Sequence, residues 1–94
     1  LSDLNYLHFE TAFISSAGFI LDEGVSTKNS DRWLMSREIV RRSSKNIILM
    51  DSTKFDKQFH YIFAKIDEID TIVSDNELNP DVISALKARG VTVL

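Results

Sequence analysis

An α/β fold built on a mostly parallel sheet is the architecture this sequence predicts, and three observations predict it. Strand-like and helix-like segments follow one another in the order strand, helix, strand, strand, helix, strand, which in so short a chain requires crossover connections. The apolar run Ile47-Ile48-Leu49-Met50 reads as a buried strand and stops abruptly at Asp51-Ser52-Thr53-Lys54. Asn79-Pro80-Asp81 opens a second helix with proline at its first position, and Gly90 stands where that helix would end.

Each element has its own signal. Residues 11–15, Thr-Ala-Phe-Ile-Ser, read as a short buried strand, followed by a Ser16-Ala17-Gly18 turn and a loop that holds Asp22-Glu23-Gly24 and continues to Asn29. A helix is expected from about residue 30 to 44, with Asn29 or Ser30 as N-cap and Trp33, Leu34, Ile39 and Val40 on one face. Asp31 lies near its positive end, and Arg41, Arg42 and Lys45 near its negative end. Residues 46–51 form the next strand, and a loop or single turn runs on to Lys57. Residues 61–66 suit either a strand or an irregular segment covering the sheet, whereas 69–74 is a clearer strand. The second helix runs to about Arg89, and residues 91–94 form a last strand.

Composition narrows the function. With 94 residues, 44% apolar and 27% charged, the chain can build one small core. It has no cysteine and two histidines, His8 and His60, so thiolate or histidine metal clusters are not expected and no cofactor is assigned. A net charge of −3 leaves no electrostatic footprint for nucleic acid, and Arg37, Arg41, Arg42 and Lys45 suit the exposed face and end of a helix. No apolar run approaches the roughly 20 residues that span a bilayer, and the N-terminus lacks a signal-peptide pattern, so a soluble, cytoplasmic location and no membrane partner are expected. The opening at Leu1, without an initiator methionine, is read as the start of a piece of a longer protein.

Four segments in order carry a resemblance: Phe13-Ile14-Ser15-Ser16-Ala17-Gly18, Leu21-Asp22-Glu23-Gly24-Val25-Ser26-Thr27, Asp51-Ser52-Thr53-Lys54-Phe55 and Glu68-Ile69-Asp70-Thr71-Ile72-Val73-Ser74-Asp75. Together they resemble the C-terminal sensor domain of DeoR-type transcriptional regulators, over nearly the whole chain. The resemblance implies a partial three-layer fold similar to ribose-5-phosphate isomerase. It also implies a phosphorylated sugar as effector, oligomeric parents, and DNA contact only through an N-terminal winged helix-turn-helix that this sequence lacks. Residues 1–94 would then be the C-terminal part of the sensor domain, with its first part also missing and half of the expected pocket lying upstream. Such a truncated sheet would expose an edge or an apolar face.

The resemblance assigns Lys54 to a position beside the sugar phosphate. An ammonium on a flexible stem is a good point-charge partner for phosphate, and Ser52 and Thr53 can donate hydrogen bonds beside it. Asp51 can bond a sugar hydroxyl, pair with Lys54 or cap the following turn. Ser16, Gly18, Ser26 and Thr27 are candidates for the pocket wall, with a turn of small polar residues as the alternative. In the isomerases a catalytic aspartate and lysine occupy the positions held here by Ala17 and Glu23. Alanine offers no titratable group for proton transfer, so no enzyme activity is expected.

The leading reading is the effector-sensing domain of a repressor of sugar metabolism. An isomerase relative and an oligomerisation domain without a ligand are the alternatives. Trp33 and the aromatic cluster Phe59-His60-Tyr61-Ile62-Phe63 are expected in the core or at a subunit contact, and His60 is assigned no chemistry.

Overall fold

In the computed structural model, which describes residues 7–94, two sheets and two helices share one core. In chain order the elements are β1 (Phe9–Ser15), β2 (Gly18–Ile20), β3 (Gly24–Thr27), α1 (Ser30–Arg41), β4 (Ser43–Leu49), β5 (Tyr61–Ala64), β6 (Thr71–Val73), α2 (Pro80–Ala88) and β7 (Thr92–Val93). Single 3-10 turns at Ser52–Lys54 and Ile66–Glu68 flank β5 on its two sides.

The larger sheet has the order β1-β4-β6-β7, and every pairing in it is parallel. Its register sets Ile14 beside Ile48 and Ile48 beside Ile72. These three and Ala12 are buried, and they meet Val40 of α1 and Leu86 of α2 in the core cluster. Burial of this apolar surface, at about 25 cal/mol per Å², stabilises the packing of the helices on the sheet.

The smaller sheet, β2-β3-β5, is antiparallel and was not expected. The stretch read as loop from Ser16 to Asn29 contains two strands. They escape a sequence reading because β2 is three residues long and all four residues of β3 are buried, so neither shows alternation. The ambiguous segment 61–66 resolves as β5 over Tyr61–Ala64.

The first helix ends three residues earlier than expected, and β4 begins three residues earlier. The Arg42 N–H reaches back to the last carbonyls of α1, and the Ser43 hydroxyl donates to Ile39 O at 2.6 Å. From Ser43 the chain is recruited into the ladder with β1, so long-range pairing overrides the local helical preference. Asn29 is the N-cap, its side chain accepting the Arg32 N–H at 2.7 Å. Of the apolar face expected on α1, Val40 is buried and Trp33 and Ile39 pack against the core, but Leu34 is exposed. The Trp33 indole donates to Ile62 O at 2.8 Å. Arg37, expected on the exposed face, is instead half-buried: its guanidinium donates to Phe63 O at 3.1 Å and to both Glu68 carboxylate oxygens at 2.8 Å. Partial burial pushes the Glu68 carboxyl up, but the Lys65 N–H and the Arg37 guanidinium outweigh it and hold the group below its usual range.

The second helix starts at Pro80 with Asn79 as cap, and Gly90 follows it at φ 86, as its position in the sequence suggested. Arg89 ties the end of α2 to the β2–β3 turn through Asp22 Oδ1 at 2.7 Å. Among the described residues no helix is long and apolar enough to cross a membrane.

Gly18 is fixed by close approach. A Cβ there would lie 2.4 Å from the main-chain oxygen of Lys57, so the chain after the Ser52–Lys54 turn would have to move. Gly18→Ala is expected to cost roughly 1–3 kcal/mol, the range of overpacking a tight site, read as a lower urea midpoint with an unchanged slope.

Candidate functional site

The carboxyl ends of β1, β4 and β6 lie side by side because the three strands are parallel neighbours. In open α/β sheets this is the edge that receives ligands. Three sequence-distant loops meet along it: Ser16-Ala17 after β1, Met50 to Lys54 after β4, and Ser74-Asp75 after β6. The segment after Lys54 folds back along β2, with Asp56 N–H donating to Phe19 O at 2.9 Å and Lys57 bridged to Phe19.

The β4 loop is a network of short polar bonds. Asp51 caps the Ser52–Lys54 turn, accepting the Thr53 N–H at 2.9 Å and the Thr53 hydroxyl. Of the three roles open to Asp51, the structural cap is the one its geometry shows. Asp75, the residue after the strand expected at 69–74, accepts from the Ser52 N–H at 3.0 Å, the Ser52 hydroxyl at 3.2 Å and the Glu77 N–H at 2.9 Å. Only the adjacency of β4 and β6 brings it there, and no local signal announces it.

The Thr53 hydroxyl bond holds the Asp51 carboxyl below its ordinary value, against some desolvation and with help from the Thr53 N–H and Lys54. Asp75 is lowered first by the Ser52 N–H, again against desolvation, and then by its other donors. The Lys54 ammonium, half-exposed, makes no hydrogen bond or ion pair with the described residues.

On the neighbouring loop the Ser16 hydroxyl is buried and donates to Gly18 O at 2.7 Å. It braces the turn into β2. Ser26 is buried and its hydroxyl accepts the Phe59 N–H at 3.2 Å, so it ties the smaller sheet to the aromatic segment. Thr27 is buried at the end of β3, and its side chain has no hydrogen bond with the described residues. Ser16, Ala17 and Thr27 line an open cleft of about 300 Å³ together with Ser15, Lys28, Asn29 and Arg32, at the N-terminus of α1. This cleft unites Ser16 with Thr27 but does not include Asp51 to Lys54 or Gly18, which stand outside it. Lys28 and Arg32 were not singled out by sequence; they enter because the turn after β3 and the first turn of α1 face the end of β1.

A larger cleft of about 540 Å³ lies elsewhere, along β5 and the Arg37–Glu68 pair, and it contains Glu23 but none of the expected effector residues. Ala17 and Glu23 are therefore in different clefts. Among the described residues no cluster of histidine and carboxylate side chains could hold a metal ion.

The carboxyl edge of the parallel sheet thus gathers hydroxyls, a lysine and the N-terminus of α1 on one α/β domain. The chain belongs to the DeoR C-terminal sensor domain family, whose model matches residues 1–76. It is 26% identical over 87 residues to the HTH-type transcriptional regulator GlpR of Haloferax volcanii, covering 93% of this chain and 34% of that protein. It is 29% identical over 91 residues to the uncharacterized HTH-type transcriptional regulator YulB of Bacillus subtilis, covering 96% and 35%. It is 30% identical over 90 residues to a putative aga operon transcriptional repressor of Escherichia coli O157:H7, covering 96% and 33%. The chain thus spans about a third of the length of these curated relatives.

The lowered carboxyls at the site give a pH prediction. A group whose folded pKa is depressed contributes stability that is complete above its unfolded value and is lost as pH falls through the folded one. Asp51 and Asp75, ordinarily 3.8, therefore stabilise the fold at neutral pH and cease to do so on acidification. Asp75→Asn should flatten the fall of unfolding free energy below about pH 4, measured by urea titration at several pH values.

Proposed function

We propose that this chain is the effector-sensing part of a transcriptional repressor of sugar metabolism, that it binds a phosphorylated sugar, and that it catalyses nothing. The observation that carries this reading is that the Ser16 and Thr27 cleft and the separate Asp51 to Lys54 loop both follow neighbouring parallel strands, at the carboxyl edge of the sheet, in a chain of the DeoR sensor family. Lys54, which makes no hydrogen bond or ion pair with the described residues, is the phosphate contact. Ser52 and Thr53 flank it, while Asp51, Ser16 and Gly18 hold the loops in place and Thr27 offers a hydroxyl to the sugar. Related proteins named as HTH-type regulators and as an aga operon repressor support the regulatory role.

In this reading the chain completes a fold similar to ribose-5-phosphate isomerase together with an upstream part, and a winged helix-turn-helix ahead of that reads DNA in an oligomeric, intracellular regulator. The effector works by population shift. It favours one arrangement of the sensor, and operator affinity changes only by the difference in its affinity for the two. Ala17 leaves no acid or base where an isomerase needs one.

A second reading, a sensor domain that serves only for assembly, draws support from one observation: Asp51, Ser52, Thr53 and Ser16 all spend side-chain hydrogen bonds internally. Thermal unfolding of the intact regulator separates the two. A phosphorylated sugar at 100 times its Kd should stabilise it by about 2.7 kcal/mol, and the unphosphorylated sugar far less. Lys54→Ala should weaken binding about tenfold or more, the worth of one hydrogen bond to a charged group. A melt indifferent to every sugar phosphate at saturation would favour assembly without a ligand.

A further inference from the structure

We propose that the cleft at the N-terminus of α1 binds a second acidic group of the effector, held by Arg32 and Thr27. The ligand is then a sugar with two anionic groups, a phosphate at Lys54 and a further phosphate or carboxylate in this cleft. The inference rests on the reading of the chain as a sugar-phosphate sensor and narrows its ligand class.

The charge of the cleft is the first observation. Its wall is made by Ser15, Ser16, Ala17, Thr27, Lys28, Asn29 and Arg32, with two cations and no carboxylate. That is notable in a chain of net charge −3, whose larger cleft along β5 carries Asp22, Glu23, Asp67 and Glu68 against Arg37 and Lys65. The Asp31 carboxylate, next to Arg32 in sequence, does not line it.

The second observation is a set of donors with nothing to bond. Thr27 is 3% exposed, and its hydroxyl has no hydrogen bond with the described residues. The buried side-chain atoms that are sealed off without a partner are Asn46 Oδ1 and Ser74 Oγ, so the Thr27 hydroxyl keeps an opening to the cleft it lines. The Arg32 guanidinium is exposed and makes no hydrogen bond or ion pair with the described residues. Its planar fork of N–H groups matches a carboxylate or a phosphate. A cation in the first turn of a helix is opposed by the helix dipole, and a bound anion reverses that penalty. The Arg32 N–H is taken by the Asn29 cap, while those of Ser30 and Asp31 have no partner among the described residues and add to the positive end of α1. Lys28 is less available, since its ammonium lies over the Phe59 ring at 5.2 Å from the centroid.

The third observation is placement. Lys54 stands outside this cleft, on the turn after β4, whereas Ser15 and Ser16 end β1 and enter the cleft. The two strands are hydrogen-bonded neighbours, and such neighbours lie about 4.8 Å apart. One monosaccharide bridges the ends of adjacent strands with an acidic group on either side.

The test is titration calorimetry on the intact regulator with matched ligand sets, each a sugar monophosphate, the bisphosphate of the same sugar and its phosphorylated sugar acid. In the set that binds, a doubly acidic member should bind at least tenfold more tightly than the monophosphate, the worth of one hydrogen bond between charged groups. The arm that gains, bisphosphate or sugar acid, identifies the second group. Arg32→Gln should erase the preference and leave the monophosphate within twofold, and Thr27→Val, of the same shape without the hydroxyl, should reduce it. Lys87→Gln, on the exposed side of α2, should change neither, and Lys54→Ala should weaken every member. Equal binding of singly and doubly acidic ligands overturns this inference alone if Lys54→Ala still abolishes binding, and so does a preference that survives Arg32→Gln. No binding of any member overturns the sensing reading together with it.

Discussion

The parallel pairing of β1 with β4 is the constraint on which the rest of the molecule depends. It joins residues more than thirty positions apart, from Phe9 with Ser43 to Ser15 with Leu49, and so obliges β2, β3 and α1 to form one crossover between the two strands. Once that crossover is right-handed, the position of the core follows. The successive steps to β6 and β7 repeat the same sense, and the helices and the smaller sheet accumulate on the side of Ile14, Ile48 and Ile72.

The same pairing creates the site. Parallel strands end together, so the turn after β1, the capped turn after β4 and the Asp75 turn after β6 share one edge although nothing in sequence links them. Their side chains divide by task. Asp51, Asp75 and Ser16 satisfy main-chain groups and hydroxyls and fix the loops, and bonds of that kind are what hold acidic groups ionised at low pH. The Lys54 and Thr27 side chains make no hydrogen bond with the described residues, while the Lys54 charge helps to hold Asp51 ionised.

The Arg37–Glu68 pair couples α1 to the turn after β5, and Asp70 fixes the middle of β4 by accepting the Asn46 N–H at 2.7 Å. Arg37 also donates to a β5 carbonyl, as Trp33 does, so α1 satisfies main-chain acceptors of the smaller sheet while its other side meets the larger one.

By itself the sequence determined the features that depend on neighbours in the chain. The Asn79-Pro80 start and Gly90 end of α2, the Asn29 cap of α1, the buried run that became β4 and the polar turn after it were all legible, because caps, turns and apolar runs act over a few residues. Four short signatures also sufficed for the family. Tertiary structure alone decided the small antiparallel sheet, the early end of α1 at Arg41, the half-burial of Arg37 and the arrival of Asp75 beside Ser52. Each of these is set by a partner more than twenty residues away or by strands too short to show a period, and in such cases the energy of long-range pairing exceeds the local preference that a sequence displays.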